Sequence, residues 1–401
     1  IVLLPAGVYR CDGILAVTQS GVVLRGEGPT QTTIYFTRTA NMAYNSHIAF
    51  SKTLQRGQDR YLAVDGENRS HIVCLDDATG LEVGDEVAVG WVITDEFVAE
   101  HGMTGTWQVF NGQWRPFFRR TITDINTATA PHQVTLDVPL RYPAKVRDAA
   151  SLRAESGYLT ECGLEHLAIA NAVSWADAWA QYQVQAVSFQ QAADCWIRNV
   201  HSVESPLPEA QGFHLQSGGF RIQDSKRMTI ADCQLENTQN RGVGGCGYLY
   251  QISQSNEVLI RDCIGRNGRH NFIQNWGFGN TGCVFLRCHS TGSSQILSAD
   301  LPVPIPALCE YHHSLATACL VDQCQLDDGW YTGNRKRESS GAGHSATQNV
   351  FWNTRGFGII KSYQFGHGYV IGTRQVTVAT TLIDPRADGT EPEDYVEGKG
   401  R

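Results

Sequence analysis

Val258-Leu259-Ile260-Arg261-Asp262-Cys263 is one of seven copies of a six-residue pattern that reads apolar, any, apolar, any, polar, small apolar. The other copies are Cys162-Gly163-Leu164-Glu165-His166-Leu167, Cys195-Trp196-Ile197-Arg198-Asn199-Val200, Met228-Thr229-Ile230-Ala231-Asp232-Cys233, Cys283-Val284-Phe285-Leu286-Arg287-Cys288, Cys319-Leu320-Val321-Asp322-Gln323-Cys324 and, more loosely, Asn349-Val350-Phe351-Trp352-Asn353-Thr354. Their starts lie 33, 33, 30, 25, 36 and 30 residues apart. A repeat of this length built from short strands is the signature of a stacked solenoid, in which each unit needs its neighbours to cover its apolar face.

The pattern carries its own local mechanism. Alternation at the first and third positions turns two side chains to one side of a short strand. The fifth position is Asn or Asp in four of the seven copies, Asn199, Asp232, Asp262 and Asn353. These residues tolerate a left-handed backbone better than other non-glycine residues, so a tight corner is expected there. After the corner a small apolar residue points inward again. Helical repeats would not alternate with period two, so the expected fold is all-β, a parallel β-helix.

Eight of the twelve cysteines, Cys162, Cys195, Cys233, Cys263, Cys283, Cys288, Cys319 and Cys324, fall on the two inward positions. Free cysteine packs as a small hydrophobe, so a ladder of buried thiols is the expected arrangement. Disulfides between neighbouring coils are an alternative in an oxidising compartment. The Cys-x4-Cys pairs at 283/288 and 319/324 do not have the usual ligand spacing of a zinc site.

The composition, 42% hydrophobic and 18% charged, supports an ample core, and no apolar run is long enough to span a membrane. A formal net charge of −8 argues against nucleic acid as a partner. Forty glycines suit a fold full of corners. Lysine is scarce, so most positive charge is arginine, the residue suited to bidentate contact with carboxylate or sulfate.

The coil rhythm divides the chain. Residues 1–74 read as the first coils. Residues 75–150 break the rhythm, with strand-like Leu81–Val89, Thr121–Ile125 and Val134–Val138, and read as a small β insertion. A loop within it holds Trp107, Phe110, Trp114, Phe117, Phe118, Arg119 and Arg120, which suits either a sugar platform or lid, or a small core for the insertion. Residues 151–383 hold the main coils, and 384–401 form a polar tail.

Leu4-Pro5-Ala6-Gly7-Val8-Tyr9 followed by Gly21-Val22-Val23-Leu24-Arg25-Gly26-Glu27-Gly28 resembles the opening of secreted proteins of the pectin-lyase-like, right-handed parallel β-helix superfamily. The resemblance extends over most of the chain outside 75–150. It implies the right-handed β-helix fold and an extracellular or cell-surface, carbohydrate-active role. The superfamily hosts lyases, hydrolases, epimerases, phage spikes and adhesins, so it does not fix a reaction. Such proteins usually carry a helical cap before the first strand. Both ends of this solenoid read as uncapped, so further segments or partner copies in a homo-oligomer are expected.

The resemblance also implies a groove along the strand that precedes each six-residue repeat. Counting back from the repeats places Ser188, Arg221, Gln251, Trp276 and His312 outward on that face, with His344 close by. His214, Arg241, His270, Asn271, Gln274 and Glu310 come just ahead, on bordering loops. A row of His, Arg, amide and Trp differs from an ordinary solvated face. Each histidine taken singly could equally be a packed, hydrogen-bonded core residue.

Residue type weighs the chemistry. Glycosidic hydrolysis usually needs two carboxyl groups, and the best available are Asp224, Glu310, Asp327 and Asp328. Asp327-Asp328 and Gly366-His367-Gly368 are faintly similar to polygalacturonase signatures, but the matching Asn-Thr-Asp and Arg-Ile-Lys segments are absent. β-Elimination on a uronic acid needs a cation to neutralise the carboxylate, a base for the C5 proton and an acid for the leaving oxygen. Arg, His, Gln and Asn supply these without a carboxylate pair. Calcium-dependent members hold Ca²⁺ with acidic oxygens, and the row offers no dense acidic cluster, so no cofactor or metal is expected. The expected catalytic residues are His270 or His312 as base and Arg241 as the neutralising cation. Trp276 stacks a sugar ring, Gln251, Asn271 and Gln274 hydrogen-bond it, and Arg221, His344 and Arg335 complete the polysaccharide-binding rim. A glycoside hydrolase and a non-catalytic glycan-binding adhesin or spike module are the alternatives.

Overall fold

In the computed structural model of the chain, residues 1–380 and 396–398 are described. The tail expected over 384–401 lies outside these residues except for Val396–Gly398, which pairs in parallel with Tyr369–Ile371. The fold is a right-handed parallel β-helix carrying an antiparallel insertion.

Each six-residue repeat forms a short strand ending at a corner. All seven fifth positions, His166, Asn199, Asp232, Asp262, Arg287, Gln323 and Asn353, are left-handed, with φ between 49° and 57°. The corner therefore persists where the side chain is His, Arg or Gln, because the stacked neighbours on both sides hold the backbone. Third-position residues form an unbroken in-register ladder down the core, Ile197–Ile230–Ile260–Phe285–Val321–Phe351–Val370. All are fully buried.

The cysteines are free thiols, and the eight at inward positions are buried. The Cys162 N–H donates to Cys195 Sγ at 3.3 Å and the Cys288 N–H to Cys324 Sγ at 3.4 Å. Cys283 faces Cys319 on the next coil and Cys288 faces Cys324. The members of each Cys-x4-Cys pair thus belong to different ladders.

The opposite wall is a ten-stranded, wholly parallel sheet with one strand per coil. Its central strands are Gln185–Gln190, Gly218–Gln223, Tyr248–Ser253, His270–Asn275, Cys309–Tyr311, Gly329–Thr332 and Ile359–Ser362. Inward rings stack along it, with Phe50 on Phe189 at 4.2 Å and Tyr250 on Phe272 at 4.8 Å between centroids.

The insertion is spliced into one coil. Strand Ser46–Ser51 pairs directly with Gln185–Gln190, and Val23–Arg25 with Gly163–Ala170, so stacking continues past it. Its antiparallel sheet uses strands within residues 55–156, on both sides of the 75–150 stretch. Trp107, Phe110, Phe117 and Phe118 are buried in its core around Trp91 and Phe97. The aromatic loop is therefore packing rather than a sugar platform. No described helix is long and apolar enough to cross a membrane.

Candidate active site

The outward face of the ten-stranded sheet carries an in-register column: Ser188, Arg221, Gln251, Ile273, Glu310, Tyr331 and Lys361. The first three match the positions expected from the sequence. The next places belong to Ile273, Glu310 and Tyr331 rather than to Trp276, His312 and the neighbourhood of His344. The reason is corner length. Seven residues separate Gln251 from Val258 at the next repeat, but ten separate Ile273 from Cys283 and nine separate Glu310 from Cys319. A register carried over from the shorter coils slips on the longer ones.

Glu310 is the centre of a buried polar cluster. Its Oε2 lies 2.8 Å from His312 Nδ1 and 3.3 Å from His270 Nε2. Its Oε1 pairs with Arg335 Nη1 at 3.0 Å. Arg335 also packs against His312 Nδ1. Tyr248, in register with His270, covers the cluster with its ring 5.2 Å from the imidazole. The Arg269 guanidinium stands 5.9 Å over the Tyr248 ring and donates to the Gly242 carbonyl at 2.7 Å. Arg269, His270, Glu310, Tyr331, Arg335 and Lys361 line a cavity of about 240 Å³. One carboxylate faces three cationic side chains there, so the cavity favours an anion.

Burial pulls the His270 imidazole down to about 3, outweighing the attraction of Glu310. His312 is likewise held well below the ordinary histidine range, by burial and by Arg335 and Arg269. Both rings are neutral at ordinary pH. His270 Nδ1 sits against the Leu308 carbonyl and so carries the proton. Its Nε2 is sealed from solvent, has no hydrogen-bond partner and lies 3.3 Å from Glu310 Oε2.

His270, Glu310 and His312 could offer three ligand atoms to a metal ion, all within 4.8 Å of one another. The Arg335 guanidinium donates to the same carboxylate and touches the same imidazole, so a fixed cation already occupies that role. The residues present fit a metal poorly.

Of the residues expected from the sequence, the fold brings together His270, His312 and Arg335. Gln251 and Arg221 stand on the same outward column, two and three coils from Glu310. Arg241 bonds Ser294 Oγ at 2.7 Å and is not among the residues lining the cavity. Trp276 is exposed, 4.7 Å from the His313 ring, which separates it from the cluster. Asn271 and Gln274 are buried and turn inward, Asn271 to Gly265, Ser290 and Asp328 and Gln274 to Cys319. His344 packs against Phe365 at 4.8 Å. Sequence reasoning missed Arg269, Tyr248, Tyr331 and Lys361. Arg269 was within reach, inside the polar segment that contains His270; Tyr331 and Lys361 required the true coil register.

A second cavity, of about 720 Å³, shares Pro306, Ala307 and Leu308 with the first and contains Asp327 and Asp328. Asp327 is held below the usual carboxylate range, where hydrogen bonds from His289 at 2.8 Å and Gln325 at 3.0 Å outweigh its partial burial. Asp328 is pushed upward by burial, despite bonds from Ser290 at 2.9 Å and the Ser293 N–H at 3.1 Å. Asp224, the remaining carboxylate considered, pairs with Arg119 at 2.8 Å under the insertion.

No family model matches the chain, and no curated protein sequence matches it. Solved structures do. Tailspike protein gp49 of Pseudomonas phage LKA1 is 13% identical, with a TM-score of 0.52, over 94% of this chain and 54% of that one. The Gp54 tailspike of Acinetobacter baumannii bacteriophage AP22, solved in complex with A. baumannii capsular saccharide, is 12% identical, with a TM-score of 0.52, over 99% of this chain and 64% of that one. The chain thus spans roughly half to two-thirds of the length of these tailspikes. It is a right-handed parallel β-helix, and it shares that fold with them.

Proposed function

We propose that this protein binds an anionic polysaccharide along the outward column and cleaves it by β-elimination at the His270–Glu310 cluster. The observation that carries the reading is the cavity that gathers Arg269, Arg335 and Lys361 around the His270 imidazole and Glu310. A uronate carboxylate enters against the guanidinium groups, which withdraw its charge and make the C5 proton acidic. His270 Nε2 takes that proton. The electron pair forms the C4–C5 double bond, and the C4–O bond breaks towards the leaving sugar. Tyr331 or Lys361, both on the cavity wall, returns a proton to the leaving oxygen. Glu310 fixes His312 and Arg335 in place. The AP22 tailspike, solved with a capsular saccharide on the same fold, supports a glycan ligand. Such a substrate places the protein outside a cell or on a particle surface.

The opposed Asp327 and Asp328 favour a second reading, glycoside hydrolysis in the adjoining cavity. Two carboxyl groups pushed apart in acidity are what acid and base roles require.

A panel of acidic polysaccharides separates the two. Elimination yields new reducing ends together with the ultraviolet absorbance of an unsaturated uronate, and His270→Ala removes both by about 10²–10⁴-fold. Reducing ends without absorbance, lost in Asp328→Asn and kept in His270→Ala, overturn the lyase in favour of the hydrolase.

A further inference from the structure

The six-residue repeats bend around a groove of about 690 Å³ that shares no lining residue with either cavity described above. Arg287, Arg355 and Arg374 line it, and Asp262 is the single carboxylate among the described lining residues. That balance is the reverse of the chain as a whole, whose formal net charge is −8. Nor is Asp262 free to neutralise the groove. It is already held by Arg287 Nε and Nη2 at 2.7 and 2.8 Å and by Arg261 at 2.7 Å. Arg287 keeps its Nη1 for another acceptor. Arg355 is exposed, and among the described residues its side chain makes no hydrogen bond or ion pair.

The solenoid sets the spacing of these groups. His289, Gln325, Arg355 and Arg374 stand in register on four successive coils, each step being one strand spacing of about 4.8 Å. Arg287 sits at the corner of the His289 coil, so it precedes Arg355 by two coils, about 10 Å along the axis. Asp327 fixes the two side chains between, accepting from His289 Nε2 at 2.8 Å and from Gln325 Nε2 at 3.0 Å. A carboxylate only accepts, so His289 Nδ1 and Gln325 Oε1 are left as acceptors. Among the described residues no Trp, Tyr or Phe lines the groove.

We infer that this groove is a second, non-catalytic binding site for an extended acidic polysaccharide that carries a carboxylate or sulfate on alternate sugars. The guanidinium groups take successive anionic groups, to which their fork of donors is suited. His289 and Gln325 accept hydroxyl protons between them. The rise of one pyranose in an extended chain is close to one coil step, so charges on alternate sugars meet Arg287 and Arg355. A neutral glycan would leave the guanidinium groups unanswered. Nucleic acid would find no ring here for its bases to stack on and would meet the acidic remainder of the chain. The inference rests on the polysaccharide reading for its class of ligand but not on the reaction.

The test is affinity electrophoresis of the full chain through gels holding hyaluronate, which has a carboxylate on alternate sugars, dextran sulfate or neutral dextran, with poly-dT as competitor. One or both acidic polymers should retard the parent, and which of them does so tells carboxylate from sulfate. Arg355→Glu should weaken that binding about tenfold and Arg355→Gln by less. Both variants should melt with the parent, because the Arg355 side chain holds nothing in the fold. The same Arg355 dependence in a His270→Ala background supports the groove even where no polysaccharide is cleaved, so a failed elimination mechanism would leave it intact. Cleavage by the parent, with Arg355 variants retarded as the parent is, would overturn the groove and leave the lyase standing. Equal retardation by neutral dextran, tighter Arg355-dependent binding of poly-dT, or no retardation by either acidic polymer would also overturn it.

Discussion

At the scale of single residues, burial decides protonation, and two outcomes follow. The first concerns rate. His270 acts in its unprotonated form and burial holds it near 3, so lowering the pH from 7 to 5 does not protonate it. On the polysaccharide that is cleaved, kcat/KM should stay flat across that interval and fall only as pH approaches 3. An inflection near the ordinary histidine value of about 6.5 would remove His270 from the role of base. The second concerns stability. His47 is wholly buried; its Nε2–H donates to the Arg38 carbonyl at 3.0 Å and its Nδ1 accepts from Asn171 at 3.1 Å. Burial lowers it to about 4. With a depressed folded value, the stabilisation is complete above the unfolded histidine value and is lost as pH falls towards the folded one. At pH 5 that loss is about 2 kcal/mol, from a shift of roughly 1.5 pH units below the unfolded value. Tm should therefore fall between pH 7 and 5, and fall less in His47→Gln. Equal slopes in the two proteins would show that His47 is not the linked group.

At the scale of the coil, the corner is the element that specifies the fold. Gln323 is held at φ 52° with its side chain exposed at the corner. A β-branched residue is least able to adopt that backbone, so Gln323→Ile should destabilise by about 1–2 kcal/mol and Gln323→Asn should not. Urea midpoints check both, and parity between Ile and Asn would mean that stacking, not backbone preference, sets the corner. Gly329 makes a sharper demand, with φ at 117° and an added Cβ only 2.1 Å from the Ile359 carbonyl oxygen. The corner explains what the sequence could reveal. The six-residue pattern fixes strand, turn and inward ladder locally, so it could be read from Val258–Cys263 alone, and the coils followed. The outward column depends on how many residues lie between a corner and the preceding strand, and that number is not periodic. Arg221 and Gln251 were therefore legible on the short coils, while Glu310, Tyr331 and Lys361 were displaced on the long ones. Asn271 and Gln274 misled because their polarity suggests solvent, whereas each finds a buried partner inside the coil.

At the scale of the molecule, the insertion and the coils are joined along one edge by ion pairs in which Arg119, Arg120 and Lys226 are buried and their carboxylate partners are partly exposed. Arg119 pairs with Asp224 at 2.8 Å, Arg120 with Glu257 at 3.3 Å, and Arg141 binds both Glu257 oxygens at 2.6 and 3.0 Å. Lys226 contacts Glu86 and donates to the Arg120 carbonyl at 2.9 Å. Apolar contact reinforces the joint: Phe278 from the coils packs at 4.9 Å on Trp107 of the insertion, whose indole N–H donates to the Ala342 carbonyl at 3.0 Å. The two contributions respond differently to mutation. A buried pair adds little net stability over an apolar substitute, because desolvation offsets its attraction, yet removing one partner strands the other. Arg120 is the clearest case, since burial already pulls it down to about 10 with Glu257 present. Glu257→Ala should therefore cost about 3 kcal/mol, while the double change Glu257→Leu with Arg120→Met should recover most of that loss. The penalty should depend only weakly on salt, because screening acts weakly on the buried Arg120 guanidinium. Urea unfolding of both variants at low and high salt measures this, with limited proteolysis reporting whether the insertion loosens first. A Glu257→Ala variant within about 0.5 kcal/mol of the parent would show that Trp107 and Phe278, rather than the ion pairs, hold the insertion against the coils.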